Sequence, residues 1–435
     1  MSNLVKFYIA LAILLCTSRI TGQIIPDSVL LSEITKIKAI DNHSHYFFAF
    51  NKDVANQPEP EDALGKTPFP YPVRLRVDNP EYIEAWKFLY DYKYQDMNSE
   101  HTQEVLKTKR SLMREKGEDW PVWVLDKNAI QIGFVNLPSL GPGQQNSRFR
   151  WVPFADALVS PFYHKQNKYT LRETVKKIIS ELQQEKLPPS LKQYTLNIIT
   201  QILERWKEKG AIAIKIFLAY SRTLDFRNVP EAKAEQIYLY LLDNKEITEM
   251  DYKNLEDYLF HYLALEAGRI GLVVHIHTGI GADPYFNISG SNPMLLEPVF
   301  NDPELRNTNF VIIHGGWPFD KQAGVLLIKP NVYADFSAQA FLRSTRALSE
   351  TLRAWLEWYP EKILFGTDSY SDPNTPLSDW EEKLWLTNKS AREALAIALT
   401  GMMNDGQITR EVAIQLAQMV LRDNAVQLYK LDLNK

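Results

Sequence analysis

The chain of 435 residues holds a single cysteine, Cys16. Because it lies in a leading segment read below as removable, the mature chain is left without a disulfide framework and without a thiol nucleophile. Long apolar runs are also missing. The longest, residues 7–15, falls far short of the roughly 20 residues that a helix needs to cross a bilayer. Neither sign of charge dominates: 49 Lys and Arg stand against 53 Asp and Glu, for a net charge of -4. That balance excludes the basic footprint of a nucleic-acid binder, and there is no acidic tail. No internal repeat or low-complexity tract stands out. What remains is a composition 45% hydrophobic and 23% charged, that of a globular protein with a large core, whose partner is expected to be a small-molecule substrate.

The first residues are foreign to the rest. Lys6, the apolar run from Phe7 to Leu15 and then small and polar residues read as a secretory signal peptide over 1–22, with Ser18 or Gly22 before the cut. The protein is therefore expected to be exported, periplasmic or secreted. Lipid anchoring at Cys16 is the lesser alternative, because Leu15 is bulkier than the residue normally found before a lipoprotein cysteine.

Across 23–435, short β-branched runs alternate with longer amphipathic stretches, the pattern of βα units around a parallel sheet. Strands are predicted over 37–43, 129–136, 148–156, 211–219, 270–277, 310–316, 331–337 and 362–368. Helical patterns cover 173–185, 191–209, 252–268, 318–328 and 345–358, with two more at 379–402 and 408–429. Eight strands, several apolar on consecutive positions as when both faces are buried, predict an α/β fold, a (β/α)8 TIM barrel with extra C-terminal helices. Residues 51–128 are too many for a simple loop. They read as a mainly helical insertion after strand 1, a lid over the site.

Polar residues interrupt these strands at telling places. Strand 1 ends in His43 and His45, strand 4 carries Lys215, strand 5 His275 and His277, strand 6 His314 and strand 8 Asp368. Side chains at i and i+2 of a strand point the same way, so each His-X-His can present two imidazoles to one ion. Lys215 interrupts "AIAIKIFLAY", where an ammonium would be desolvated unless it is neutral, paired with Asp368 or carried to the rim. A neutral amine there could add carbon dioxide and become a carbamate able to bridge two cations. Asp368 reads either as a helix cap or as a catalytic carboxylate. His101, His164 and His261 fall in helical or loop stretches and read as ordinary. Tyr220, Arg222, Asp283 and Trp317 lie just beyond strand ends, within reach of a substrate.

Taken together, "DNHSH", "KIFLAY", "HTGIGADPYFNISGSNP", "HGGWPFDKQAGVLLIKPNVYADFS", "LFGTDS" and the terminal "REALAIAL" to "RDNAVQLY" resemble the amidohydrolase superfamily of metal-dependent barrel enzymes. Within it the chain looks most like the branch also found fused to glutamine-synthetase-like domains in nodulin-type proteins. The resemblance implies His43, His45, His277 and His314 as metal ligands, Lys215 as a carboxylated bridge, and Asp368 as ligand and proton shuttle. In the family pattern Thr-Gly follows the strand 5 ligand, which marks His277 and leaves His275 as an extra residue behind it. The branch places arginine directly after the tyrosine that follows the lysine. Here Ser221 intervenes between Tyr220 and Arg222.

The expected reaction is hydrolysis of a carbon–nitrogen or ester bond by a metal-activated water, with one or two divalent ions, zinc above all, and Asp368 moving the proton. Relatives that decarboxylate aromatic acids or isomerise sugar acids use similar barrels, and "GTDS" is shared with the latter. An exported binding protein without catalysis is the reading from another class, and a homo-oligomer is compatible with all three.

Overall fold

The computed structural model describes residues 24–46, 71–138, 147–162, 172–282, 285–372 and 375–433. The expected signal peptide with Cys16, residues 51–70 of the insertion, His164 and Asp283 lie outside the described residues.

All eight predicted strands form: β1 (Ala39–Ser44), β2 (Ile130–Asn136), β3 (Phe149–Val152), β4 (Ala213–Ile216), β5 (Val273–His277), β6 (Phe310–Ile313), β7 (Val332–Asp335) and β8 (Ile363–Leu364). They pair in parallel as one run from β1 to β3 and another from β4 to β8. Backbone hydrogen bonds close the ring. Between β3 and β4, Lys215 N donates to Pro153 O (2.8 Å) and Ala155 N to Lys215 O (2.9 Å). Beyond β8, Asn42 N donates to Phe365 O (2.9 Å) and His45 N to Ser369 O (2.8 Å). The fold is a TIM barrel, whose functional groups collect at the C-terminal ends of the strands.

The strands are shorter than their apolar runs. Ile270 finishes a helix, Glu249–Ile270, which Gly271 ends in the left-handed region at φ 71°, so β5 begins only at Val273. Residues 218–220 leave β4 as a tight turn, Leu218–Tyr220, where Asp156 Oδ1 accepts from Phe217 N at 2.8 Å. Besides short helices of four or five residues, Ser28–Lys36 and Glu231–Leu242 were not read from sequence. The second buries only Ala234, Ile237 and Tyr238, too little for a clear apolar stripe.

Alternation along the strands sorts the core. Ala213, Val273, Val311, Ile313 and Leu364 fill the barrel interior, while Ile214, Val274, Ile276 and Ile312 face the helix layer. By the same period of two, Lys215, His275 and His277 project inward with Ala213 and Val273. β1 is irregular: its register with β2 shifts between Asp41 and Ser44.

The described part of the insertion is helical, with Glu81–Tyr90, Ser99–Lys116 and Trp120–Lys127. It packs on the start of the long helix Trp380–Asn404. Lys109 Nζ contacts Glu381 at 2.8 Å and Glu382 at 2.9 Å, all three buried. Trp86 Nε1 donates to Leu377 O at 2.8 Å. Only the edge formed by Tyr71, Pro72 and Leu75 reaches the cavity at the barrel mouth, so the lid-like overhang among the described residues is limited to that edge. The last helices, Arg410–Gln418 and Asn424–Tyr429, cross the other end, where Tyr429 enters the interior cluster.

Candidate metal centre

His43, His45 and Asp368 offer ligand atoms that all lie within 4.8 Å of one another. Asp368 Oδ1 is 3.2 Å from His43 Nε2 and 3.5 Å from His45 Nε2. His314 stands beside this group, 5.2 Å from His43 between ring centroids, and His277 stands 4.7 Å from His314. Lys215 Nζ lies 3.4 Å from His43 Nε2. Six residues expected at one centre from five different strands are thus brought together at one end of the barrel.

The backbone makes unusual turns to do so. Both His314 (φ 65°) and Asp368 (φ 53°) occupy the left-handed region that side chains other than glycine seldom adopt. Gly279, after the strand 5 histidine, allows another close approach. A Cβ there would sit 2.2 Å from Trp317 O, so the loop after β5 can meet the loop after β6 only through glycine.

Burial keeps the imidazoles neutral. His45 is pushed down to about 3 by desolvation, with the Lys215 charge acting in the same direction. Desolvation, then Lys215 and neighbouring histidines, holds His43 well below its usual value. His277 and His314 are lowered chiefly by the same burial. Neutral imidazole is the form that binds a cation.

Hydrogen bonds select which nitrogen is available. Ser337 Oγ donates to Asp335 Oδ1 (2.9 Å), so at 2.7 Å from His314 Nδ1 it must accept that nitrogen's proton. His314 Nδ1 also lies 3.9 Å from Asp368 Oδ2, but it is committed to Ser337, and Nε2 keeps the lone pair. His277 Nε2 donates to Ile280 O (3.2 Å), which leaves Nδ1 as its electron donor. At His43 the pattern differs. Asn136 Nδ2 is 2.9 Å from His43 Nδ1, while Asn136 Oδ1 is buried without a partner. His43 then carries its proton on Nε2, toward Asp368. Asn136 Nδ2 also donates to Ser44 O (3.1 Å), so turning the amide over, which would place Oδ1 on Nδ1 and free the Nε2 lone pair for an ion, would give up that bond. The donor set, neutral nitrogens around one carboxylate, fits a divalent metal.

Several residues here went unread in the sequence. Asp41 Oδ1 accepts from Thr367 N (2.8 Å) and His43 N (3.2 Å), and its Oδ2 from Thr367 Oγ1 (2.5 Å) and from Tyr46 Oη. Burial pushes this carboxyl up to about 7. Asp335 accepts from His314 N (2.8 Å), Ser337 N (3.2 Å) and Asn42 Nδ2 (3.0 Å). The signal was present in "DNHSH" and "YADFS", as acidic residues in or next to strands with no surface to face.

The secondary candidates separate. Tyr220 lies against His277, 4.8 Å between ring centroids, and lines the cavity. Arg222 turns away. Its guanidinium pairs with Glu256 (3.1 Å) and Asp257 (2.5 Å) and covers the Phe226 ring, so it is held by the helix Glu249–Ile270 instead of reaching the substrate space. Trp317 joins the site through its backbone, whose oxygen accepts from Ile280 N (2.8 Å), and its ring does not line the cavity. His275 is fully buried, its Nε2 2.6 Å from Tyr429 Oη. His101 pairs with Asp96 and His261 with Asp302, both away from the centre.

A parallel eightfold barrel with histidines and an aspartate gathered at its rim defines a metal-dependent barrel enzyme. The family model described as amidohydrolase matches residues 197–431, and the chain belongs to that family. It is 26% identical over 251 residues to Protein fluG of Emericella nidulans, a match spanning 55% of this chain and 28% of that protein. Among solved structures, one described as a metal-dependent hydrolase from Lactobacillus casei is 14% identical, with a TM-score of 0.63 over 92% of this chain and 97% of that one. The uronate isomerase of Thermotoga maritima is 13% identical, with a TM-score of 0.62 over 92% and 96%. These two likenesses are of fold. With the family and the His-His-Asp cluster, the enzyme is one that uses a divalent metal.

Proposed function

We propose that the enzyme hydrolyses an amide-type or ester bond of a small molecule, with His43, His45, His277, His314 and Asp368 holding zinc. The observation that carries this reading is the placement of Asp368 within 3.2 Å of His43 and 3.5 Å of His45, at the mouth of a cavity of about 210 Å³. When bound, the ion supplies Lewis acidity and lowers the pKa of water to roughly 7. The chain's own part is to bind, orient and move a proton. Asp368, open to the cavity at one edge, takes the proton from the attacking water and returns it to the leaving group. His277 and Tyr220 form the adjoining wall.

Lys215 is proposed to carry the second ion. Its amine, 3.4 Å from His43 Nε2, would add carbon dioxide with loss of a proton, and the carbamate would supply the negative charge needed to hold a second ion. In 13C-bicarbonate the loaded protein should show a carbamate carbon signal that Lys215→Met abolishes. A loaded wild type without that signal would leave a single-ion centre.

Export with removal of residues 1–22 is proposed from their sequence pattern. Mass measurement of the native chain would show a start after Ser18 or Gly22, and an intact Met1 would overturn it.

Metal analysis with a substrate panel scored by product tests the main reading. Wild type should take up zinc and cleave amides or lactones, and His314→Ala should lose metal. Release of carbon dioxide from a benzoate-type acid, with no amide or lactone cleaved, would replace hydrolysis by decarboxylation.

A further inference from the structure

Among the described residues, the walls of the cavity above the His-His-Asp cluster are mostly apolar. On one side stand Leu75 and Pro72, on another Ile280 and Ala282, and on a third Phe341 and Leu342. Tyr71 Oη donates to Asp372 Oδ2 (3.1 Å) and Ser371 Oγ to Asp379 Oδ1 (2.8 Å), so these two lining hydroxyls are spent within the protein, while Tyr220 Oη accepts from Ala282 N (3.1 Å).

Cations near the rim are committed as well. Arg74 donates to Ala340 O (2.8 Å), Arg343 O (2.6 Å) and both Glu81 oxygens (2.7 Å). Arg343 donates to Gln339 Oε1 (2.6 Å) and Ala347 O (2.9 Å). Arg222 is spent on Glu256 and Asp257. Lys383 sits beneath Tyr370, 3.8 Å from its ring centroid and 2% exposed, with Nζ donating to Tyr370 O. Among the described residues no Lys or Arg side chain lines the cavity. A carboxylate placed against these walls would lose its water without gaining a counter-charge, and each hydroxyl of a sugar chain would lose a hydrogen bond without replacement.

We propose that the substrate group beside the scissile carbonyl is uncharged and apolar, aromatic by preference, and that the site rejects compounds bearing a second carboxylate or a polyhydroxyl chain there. The identity of the scissile bond rests on the hydrolase reading above, whereas the selection of the flanking group rests on the wall. Planar rings suit the tyrosine and phenylalanine faces, and transfer from water to such a surface favours binding without any charge partner.

The test uses the zinc-loaded full chain with matched amides and esters of phenylacetic, succinic and gluconic acids, alongside calorimetric binding of phenylacetamide and of glucuronate. The phenylacetyl compounds should exceed the succinyl and gluconyl ones by at least ~100-fold in kcat/KM, and phenylacetamide should bind where glucuronate does not. Leu342→Arg, on a half-buried position, should narrow the phenylacetyl-to-succinyl ratio by at least ~10-fold; Leu75→Arg repeats the test from the opposite wall if the first variant does not fold. Succinyl or gluconyl substrates turned over as fast as phenylacetyl ones would overturn the inference and leave hydrolysis standing. Selective binding of phenylacetamide with no bond cleaved in any compound would uphold the inference and sink the hydrolase reading.

Discussion

Ser337→Ala isolates the contribution of a residue that touches no substrate. Ser337 is fully buried, and its hydroxyl performs two tasks at once: it accepts the His314 Nδ1 proton at 2.7 Å and donates to Asp335 Oδ1 at 2.9 Å. Alanine removes both. Asp335 retains the His314 and Ser337 backbone N–H groups and the Asn42 amide, so its carboxylate stays partnered. His314 does not. Its Nδ1–H is left without an acceptor, which costs about 1–3 kcal/mol for a buried donor, and the ring is freed to turn or to move its proton to Nε2. Either change removes the lone pair that an ion would use. Loss of such an outer hydrogen bond weakens metal binding about 10–100-fold, equivalent to roughly 1.4–2.7 kcal/mol. Competition against a chromophoric chelator at pH 7.5 measures the affinity, and thermal melts of the metal-free protein separate a stability loss from a ligand effect. Ser369→Ala is the control, since that hydroxyl is buried without a partner among the described residues and should cost little. Wild-type affinity in Ser337→Ala, or an equal loss in Ser369→Ala, would refute the tautomer argument.

Three further outcomes follow from the same contacts. His277→Gln should lose zinc while His275→Gln, whose side chain bonds Tyr429 deeper in the barrel, should retain most of it; equal losses measured by plasma emission would reverse the assignment. The metal-free protein should lose stability as pH falls from 7 to 5, because the lowered barrel histidines outnumber Asp41 and Glu381, whose carboxyls, raised to about 7 by burial, take up protons in the fold first and act the opposite way. His45 stays neutral in the fold down to about 3 but takes up a proton near 6.5 when unfolded, so protons bind the unfolded chain first. Each such histidine shifts the folding equilibrium up to about tenfold per pH unit in that window, and a flat urea midpoint across it would contradict the burial argument. Lys109→Met leaves Glu381 and Glu382 buried without their cation and should destabilise by about 3–5 kcal/mol, visible as a lowered Tm; a change within 1 kcal/mol would mean the cluster is weaker than its geometry implies.

What was legible in the sequence was whatever a strand imposes locally. Apolar β-branched runs mark all eight strands, and a histidine or lysine inside such a run is conspicuous because the barrel interior offers it no water. The gathering of His43, Lys215, His277, His314 and Asp368 was legible only through strand order, and through a resemblance that named which member of "HIHTG" reaches the cavity. Arg222 was misjudged for a reason of distance. Its partners Glu256 and Asp257 lie 34 and 35 residues later on another element, and no local pattern announces a long-range ion pair. The helix Glu231–Leu242 escaped because it buries a narrow stripe. Asp41 and Asp335 escaped because a carboxylate beside a strand reads as exposed until the backbone N–H groups it accepts from are known.

Those two carboxylates explain how the rim keeps its improbable backbone. A residue other than glycine held at positive φ costs on the order of 1–3 kcal/mol, and the site asks this of both His314 and Asp368. At His314 the backbone N–H is given to Asp335 and the carbonyl accepts from Gln339 Nε2 at 3.0 Å, so both polar groups of the turned peptide are fixed from below. At Asp368 the N–H is given to His43 O at 2.7 Å, and Asp41 grips the backbone nitrogens of Thr367 and His43 on either side of that bond. The two acids therefore act on opposite faces of one cluster: Asp335 secures the strand 6 histidine, and Asp41 ties the strand 8 aspartate to the strand 1 histidines. The strain at each turn is offset by contacts that exist only when the neighbouring strands are in register, which makes the positions of the two side chains depend on closure of the barrel and not on the loops that carry them.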